Sequence, residues 1–151
     1  MEPLTIENYK EEIESMSLEE WKPLLDLIPV IEKTETFSTP GKISYPDEDT
    51  IKIGPSKQAP VIFTFSKIVY QIRIIIDFDW SQWDEGKKLA GNPCMDYDSI
   101  DIPTKCKLIT AFVRNDRFCD GALASRFDDG TILQILKSIS RQLHSDHKNT
   151  P

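Results

Sequence analysis

The sequence predicts a mainly α protein: one domain, a compact multi-helix bundle with one small β-hairpin or irregular loop around residues 42–53. Three observations predict it. First, apolar residues recur at helical spacing in separate segments, as in Trp21, Leu24, Leu25, Ile28 and Ile31, and again in Ile132, Ile135, Leu136, Ile139 and Leu143. Second, side chains that cap helices stand just before such segments, with Ser17 and Glu20 spaced as a capping box. Third, strand-like alternation is weak and confined to two short pieces, Lys42–Tyr45 and Thr50–Ile53. With 151 residues, 39% of them hydrophobic and 28% charged, the chain suits one domain with its own core rather than a disordered segment.

Taken in order, Ile6 to Met16 reads as a short polar helix. Leu18 to Lys33 is either one bent helix or two short ones. Pro23 is tolerable near a helix start, but Pro29 removes the hydrogen bond to Leu25 and must kink or restart the helix. Residues 36–60 carry six of the prolines and glycines: Pro40, Gly41, Pro46, Gly54, Pro55 and Pro60. They read as a hairpin with a four-residue Pro46–Asp49 loop, or equally as a surface loop. Ser66 reads as the cap of the apolar run Lys67–Ile76. That run is ambiguous, because its β-branched residues favour a strand. A helix follows from Ser81 to Ala90, ended by Gly91-Asn-Pro93. Asp98 or Asp101 caps a long helix from Ile102 to Asn115, with Pro103 in its first turn. Its inner face is Ile102, Cys106, Ile109 and Val113, extended by Leu108 and Phe112. Cys119 or Asp120 begins a helix through Phe127, and Asp129-Gly130 breaks it. The last helix frays after His144.

Charge is uneven. The first 35 residues hold 10 acidic and 3 basic side chains, which accounts for the whole net charge of −7 and reads as an acidic helical arm. Residues 36–60 then form a Pro-rich loop, 61–143 a helical core and 144–151 a frayed tail. An acidic chain repels phosphate, so nucleic acid is an unlikely partner, whereas a basic protein surface suits it. No apolar stretch approaches the ~20 residues that span a membrane, and the first residues do not read as a signal peptide. Three widely spaced cysteines, Cys94, Cys106 and Cys119, fit free thiols in a reducing cytoplasm.

The densest motifs are Phe78-Asp-Trp-x-x-Trp-Asp-Glu-Gly86, Val113-Arg-Asn-Asp-Arg-Phe118 and Asp129-Gly-x-Ile132. Through Phe78, Asp79, Trp80, Trp83, Gly86, Val113, Arg114, Asp116, Arg117, Phe118, Gly121, Leu123, Gly130, Ile132 and Leu136, the stretch from Phe78 to Ile139 resembles a bacterial family called domain of unknown function 6508. Trp21-Lys-Pro-Leu-Leu25 and Pro29 fit it more loosely. The resemblance implies a helical domain with no established activity, a helix over 68–76, and no catalytic residues. The family often has Ser at the position of Cys119, which leaves Asp120 as the alternative cap.

Candidate chemistry is sparse. Arg114, Asp116 and Arg117, with Asp79 and Asp84, form a candidate polar cluster. Two guanidiniums one helical turn apart can hold a phosphate or carboxylate. The competing reading is structural, with Arg117 buried beside Phe112, Val113 and Phe118 and paired with Asp79, Asp84 or Asp120. Asp77, Asp79, Asp84 and Glu85 could hold a metal, but Asp79 just before Trp80 reads better as a helix cap. Trp21, Trp80, Trp83 and Phe118 read as structural aromatics, with both Trp80 and Trp83 in the core. His144-x-x-His147 lacks further ligands for zinc, and the six glycines match no phosphate loop. No metal, cofactor or catalytic residue is assigned. The expectation is a non-enzymatic cytoplasmic interaction or regulatory, inhibitor-type domain that presents its acidic arm or its loop to a protein partner. The alternative is a small-ligand or phosphoester-handling enzyme built on the polar cluster. Activity only as a homo-oligomer is a third reading.

Overall fold

The computed structural model of the chain describes residues 4–39, 43–53, 57–92, 95–119 and 121–148. It is mainly α-helical, as the periodicities predict: the longest helix has 18 residues and the longest strand 5. The chain enters through β1 (Leu4–Thr5) and α1 (Tyr9–Glu14). This first helix is shorter than expected because the Thr5 N–H donates to Asn8 Oδ1 at 3.0 Å, a local turn that delays the helix.

The capping box forms as read. Ser17 Oγ accepts from the Glu20 N–H at 3.3 Å, and the Ser17 N–H donates back to Glu20 Oε1 at 3.2 Å. It opens α2 (Leu18–Leu25), which ends at Asp26 and gives way to α3 (Leu27–Lys33). The two-helix alternative is therefore the one adopted. The break leaves Pro29 third in α3, where an N–H has no intrahelical acceptor to lose.

After β2 (Ser38–Thr39), the strands β3 (Ile43–Asp47) and β4 (Thr50–Ile53) pair antiparallel as a hairpin. Its register is Ile43 with Ile53 and Ser44 with Lys52, then shifts so that Asp47 meets Thr50. The strand runs through Pro46, so the loop is Glu48-Asp49 rather than four residues. The Asp49 N–H donates to Asp47 Oδ1 at 3.0 Å and tightens that turn. Next, β5 (Lys57–Gln58) pairs antiparallel with β2.

Helix α4 (Pro60–Gln71) corrects two expectations. Ser66 lies inside it and is not its cap; the helix starts with Pro60 at its first position, where a missing N–H costs nothing. The helix implied over 68–76 also stops early. Arg73 adopts φ 64°, its N–H donates to the Tyr70 carbonyl, and the Ile74 N–H donates to the Val69 carbonyl, each at 3.2 Å. This is a Schellman stop, sealed by the buried pair Val69 and Ile74. Ile74, Ile75 and Ile76 then run buried and largely extended into β6 (Ile76–Asp77), which pairs parallel with β1.

A 3-10 turn (Trp80–Gln82) precedes α5 (Asp84–Ala90), so the single helix expected over 81–90 is divided at Trp83. Of the two candidate caps for α6 (Ile102–Asn115), Asp101 does the work, accepting from the Thr104 N–H at 2.9 Å. Helix α7 (Ala122–Asp128) starts after Gly121 at φ 85°. Its exposed N–H at Leu123 is met by Asp116 Oδ1 at 3.1 Å, from the end of α6, and not by Cys119. Asp120 lies outside the described residues. Gly130, at φ 83°, turns the chain into α8 (Thr131–Lys148), which stays helical four residues past His144.

The core forms around α8. Ile132, Ile135, Leu136 and Ile139 are wholly buried, and α2, α3, α6 and α7 all pack on this helix. The acidic N-terminal segment is therefore not an arm. It delivers Trp21, Leu24, Leu27 and Ile31 to the core, while Glu11, Glu12, Glu14, Glu19 and Glu20 line its solvent side. Glu32 reaches Lys137 of α8 at 3.2 Å.

Trp21 is 1% exposed, whereas Trp80 is only half-buried. Trp21→Ala should therefore cost roughly 3–5 kcal/mol, the usual loss for an emptied aromatic site, and Trp80→Ala at most about half of that. Urea melts of the two variants decide; equal losses would contradict the packing described.

Candidate functional site

The members of the expected polar cluster make no ion pairs with one another among the described residues. Asp116 is committed to the N-terminus of α7. Asp79 accepts from the Ser81 hydroxyl at 2.6 Å rather than from a backbone N–H, so it does not cap as expected. Asp84 is exposed at the start of α5, where its charge suits the helix dipole. Arg117 is exposed, against the buried setting expected, and donates from Nη2 to the Tyr70 hydroxyl at 3.2 Å. The reason is the turn after α6, which leads the chain outward and leaves Phe118 77% exposed; Phe118 is a surface aromatic. Arg114 is half-buried, and its buried Nε has no hydrogen-bond partner. Among the described residues no ion pair joins either arginine to Asp79, Asp84 or Asp116. Among the described residues the cluster thus forms no buried salt bridge.

The tryptophans form something else. Neither Trp80 nor Trp83 is fully buried: both are half-buried, and Trp83 packs against the core from its edge. The Trp83 ring lies on Gly86, where an added Cβ would come within 2.1 Å of the ring. Phe78 meets Trp83 edge-on at 5.6 Å. Lys107 of α6 points its Nζ at three rings: Trp83 at 4.5 Å, Phe78 at 4.8 Å and Tyr9 at 5.6 Å. Partial burial there lowers the Lys107 pKa, against an opposing pull from Glu85. Trp80 and Trp83 line a cavity of about 330 Å³, floored by Leu108, Ala111 and Phe112 of α6 and edged by Lys87, Asn115 and Arg126. Arg126 donates to the Ala90 carbonyl at 3.1 Å and lays its guanidinium 4.9 Å from the Phe112 ring centre. It also lines a second cavity of about 420 Å³ that reaches Tyr97, Thr131 and Gln134.

Sequence reasoning missed a polar network between α6 and α8. Lys105 is fully buried and donates to Gln142 Oε1 at 2.6 Å. Gln142 Nε2 in turn donates to the carbonyls of Asp98 and Ile100. The Asp98 carboxylate accepts from Ser138 at 2.5 Å and from Arg141 at 3.1 Å, so the residue weighed as a helix cap is a tether to α8. Ser138 first, then Arg141, holds the Asp98 carboxyl below its usual range. Burial pushes the Lys105 ammonium down to about 8, against the pull of Asp98. No local signal announced this, because the partners stand some 40 residues apart.

Other candidates carry less. Burial pushes the Cys106 thiol far up and leaves it unreactive, while Cys119 is exposed and Cys94 lies outside the described residues. His144 lies with Nδ1 2.7 Å from the Ser140 carbonyl, and the His147 side chain is outside the described residues. Among the described residues no three His, Cys, Asp or Glu side chains gather as a metal site.

The hairpin is the most exposed element. Every described side chain from 43 to 52 faces water. Ile43, Tyr45 and Ile51 are 60%, 72% and 65% exposed. Alternation and register put these three on one face, and Ser44 and Lys52 on the other. Its tip is Asp47-Glu48-Asp49. This surface is apolar along its length and acidic at its end.

A family model, the family of unknown function DUF6508, matches residues 16–145, and the chain belongs to that family. No curated protein and no solved structure matches it.

Two predictions follow from the buried and exposed cations. Lys105 titrates near 8 in the folded chain and near 10.5 when unfolded, so between these values the unfolded chain holds the extra proton. Its contribution to stability therefore rises with pH across that window, by up to about 1.4 kcal/mol per pH unit, and is least favourable below it. Lys105→Met removes this term. The stability of the variant relative to the parent should fall by at least about 1 kcal/mol between pH 8 and 10. Cys106, whose raised pKa acts in the opposite sense above 9, is common to both proteins and cancels. A pH-independent difference in urea melts would contradict the burial of Lys105. Arg117→Ala, by contrast, should change stability by no more than about 0.5 kcal/mol, as an exposed side chain does.

Proposed function

We propose that this chain is a non-enzymatic protein-interaction domain of regulatory or inhibitor type, and that it presents the β3–β4 hairpin to its partner. One observation carries the reading: Ile43, Tyr45 and Ile51 stand in water on one face of a projecting hairpin. Such apolar area is released from water only by a partner. The chemistry of that partner follows from the tip. Asp47, Glu48 and Asp49 favour an apolar groove rimmed by Lys and Arg, and the net charge of −7 steers a basic surface toward the chain while repelling nucleic acid.

The setting proposed is the cytoplasm. The free thiols of Cys106 and Cys119 suit a reducing compartment, and no described helix is long and apolar enough to cross a membrane. The phosphoester reading is the alternative; it has less support, because among the described residues no ion pair joins Arg114 or Arg117 to Asp79 or Asp84.

The test is a photo-crosslinking side chain placed at position 45 in the native host, followed by reconstitution with the purified captured protein. The expected partner carries basic residues around the crosslinked peptide. Binding should weaken with added salt and fall at least about tenfold when Ile43, Tyr45 and Ile51 are all changed to Ser, in line with the loss of anchor residues at an interface. Binding that survives the triple substitution would overturn the proposal. Capture of a second copy, with a dimer in sedimentation, would replace it by self-association through the hairpin edge.

A further inference from the structure

We infer that the cavity beneath Trp80 and Trp83 is a binding site for a small planar aromatic acid. The volume, about 330 Å³, lies in the range of small-ligand pockets. Its lining is largely aromatic and apolar, with Trp80, Trp83, Leu108, Ala111 and Phe112, so a flat ring system has apolar surface to lie against. Its charged lining is Lys87 and Arg126, with no acid among the lining residues, in a chain whose net charge is −7. An anion is therefore drawn to this spot although the molecule as a whole repels it. Asn115 adds a carboxamide at the edge, able to orient a carboxylate or a ring nitrogen.

The aromatic wall is already set. Gly86 leaves the space in which the Trp83 ring lies, Phe78 holds its edge, and Lys107 sits over one of its faces. A ligand then meets a surface that needs no ordering, which saves much of the usual entropic cost of binding. Arg126 is likewise fixed, by the Ala90 carbonyl, the Phe112 ring and an ion pair with Asp129 at 3.6 Å that offsets part of its charge, and its planar fork has further donors suited to a carboxylate. This site is separate from the hairpin, and its test is independent of the interaction reading.

The experiment titrates the full chain with three probes of one shape: 2-naphthoate, neutral 2-naphthamide and cationic 2-naphthylmethylammonium. Nuclear magnetic resonance follows the three indole N–H signals. The expected result is saturable binding of naphthoate, at least about tenfold tighter than either analogue, with the Trp80 and Trp83 signals shifting and Trp21 unmoved. Ala111→Phe fills the floor of the cavity and should abolish the shifts in a chain whose circular dichroism is unchanged. Should that variant fail to fold, the exposed Lys87→Gln keeps the test open, since it should cut the preference for the anion at least about threefold. Equal affinity for the three probes, no saturation at millimolar naphthoate, or shifts that move Trp21 instead would overturn the inference.

Discussion

Burial of the apolar stripe of α8 is the constraint on which the rest of the structure depends. Ile132, Ile135, Leu136 and Ile139 keep no surface in water, and four other helices are placed so as to keep it that way. An 18-residue helix with one apolar face is only marginally stable alone; its stability comes from what covers that face. The cover explains why the most acidic part of the chain is also part of the core. Helices α2 and α3 turn Trp21, Leu24 and Ile31 inward, and their carboxylates have only the outer side left. Beside the stripe, Ser138, Arg141 and Gln142 hold Asp98 and Lys105 and so fix how α6 lies against α8.

Much of the fold was legible because its signals are local. The Ser17–Glu20 capping box, Asp101 before Pro103, and the stripes of α6 and α8 each act within a turn or two, and each stands where the sequence puts it. The failures share a cause, which is that distant partners overrode local preference. The run Lys67–Ile76 is divided between helix and strand because Leu4, far back in the chain, supplies a backbone for Ile76 to pair with. Asp98 looks like a cap in sequence, yet its partners are Ser138 and Arg141. Asp116 looks like part of an arginine cluster, yet a bare N–H of α7 claims it. Trp80 and Trp83 have core-like spacing, but the 3-10 turn that begins at Trp80 and ends before Trp83 places both rings beside a cavity.

What remains outside this satisfied body is of two physical kinds. The hairpin is apolar and exposed, held by its own cross-strand bonds, and has little packing against the helices to lose. The tryptophan cavity is built into the body, with its walls fixed by a glycine, a phenylalanine and a lysine ammonium. A surface of the first kind suits a large partner that can cover it. The second suits a small rigid ligand, because little motion is needed to admit one.

On this packing the helices should form one cooperative unit on α8 while the hairpin stands energetically apart. Native-state amide hydrogen exchange tests it most directly. The slowest amides should lie at Ile135, Leu136 and Ile139 and at Ile109 and Phe112, all opening only with global unfolding. Tyr45 and Ile51 should exchange by local opening, with a free energy well below the global value. Hairpin amides protected to the global limit, or α8 amides that exchange before those of α2, would contradict it.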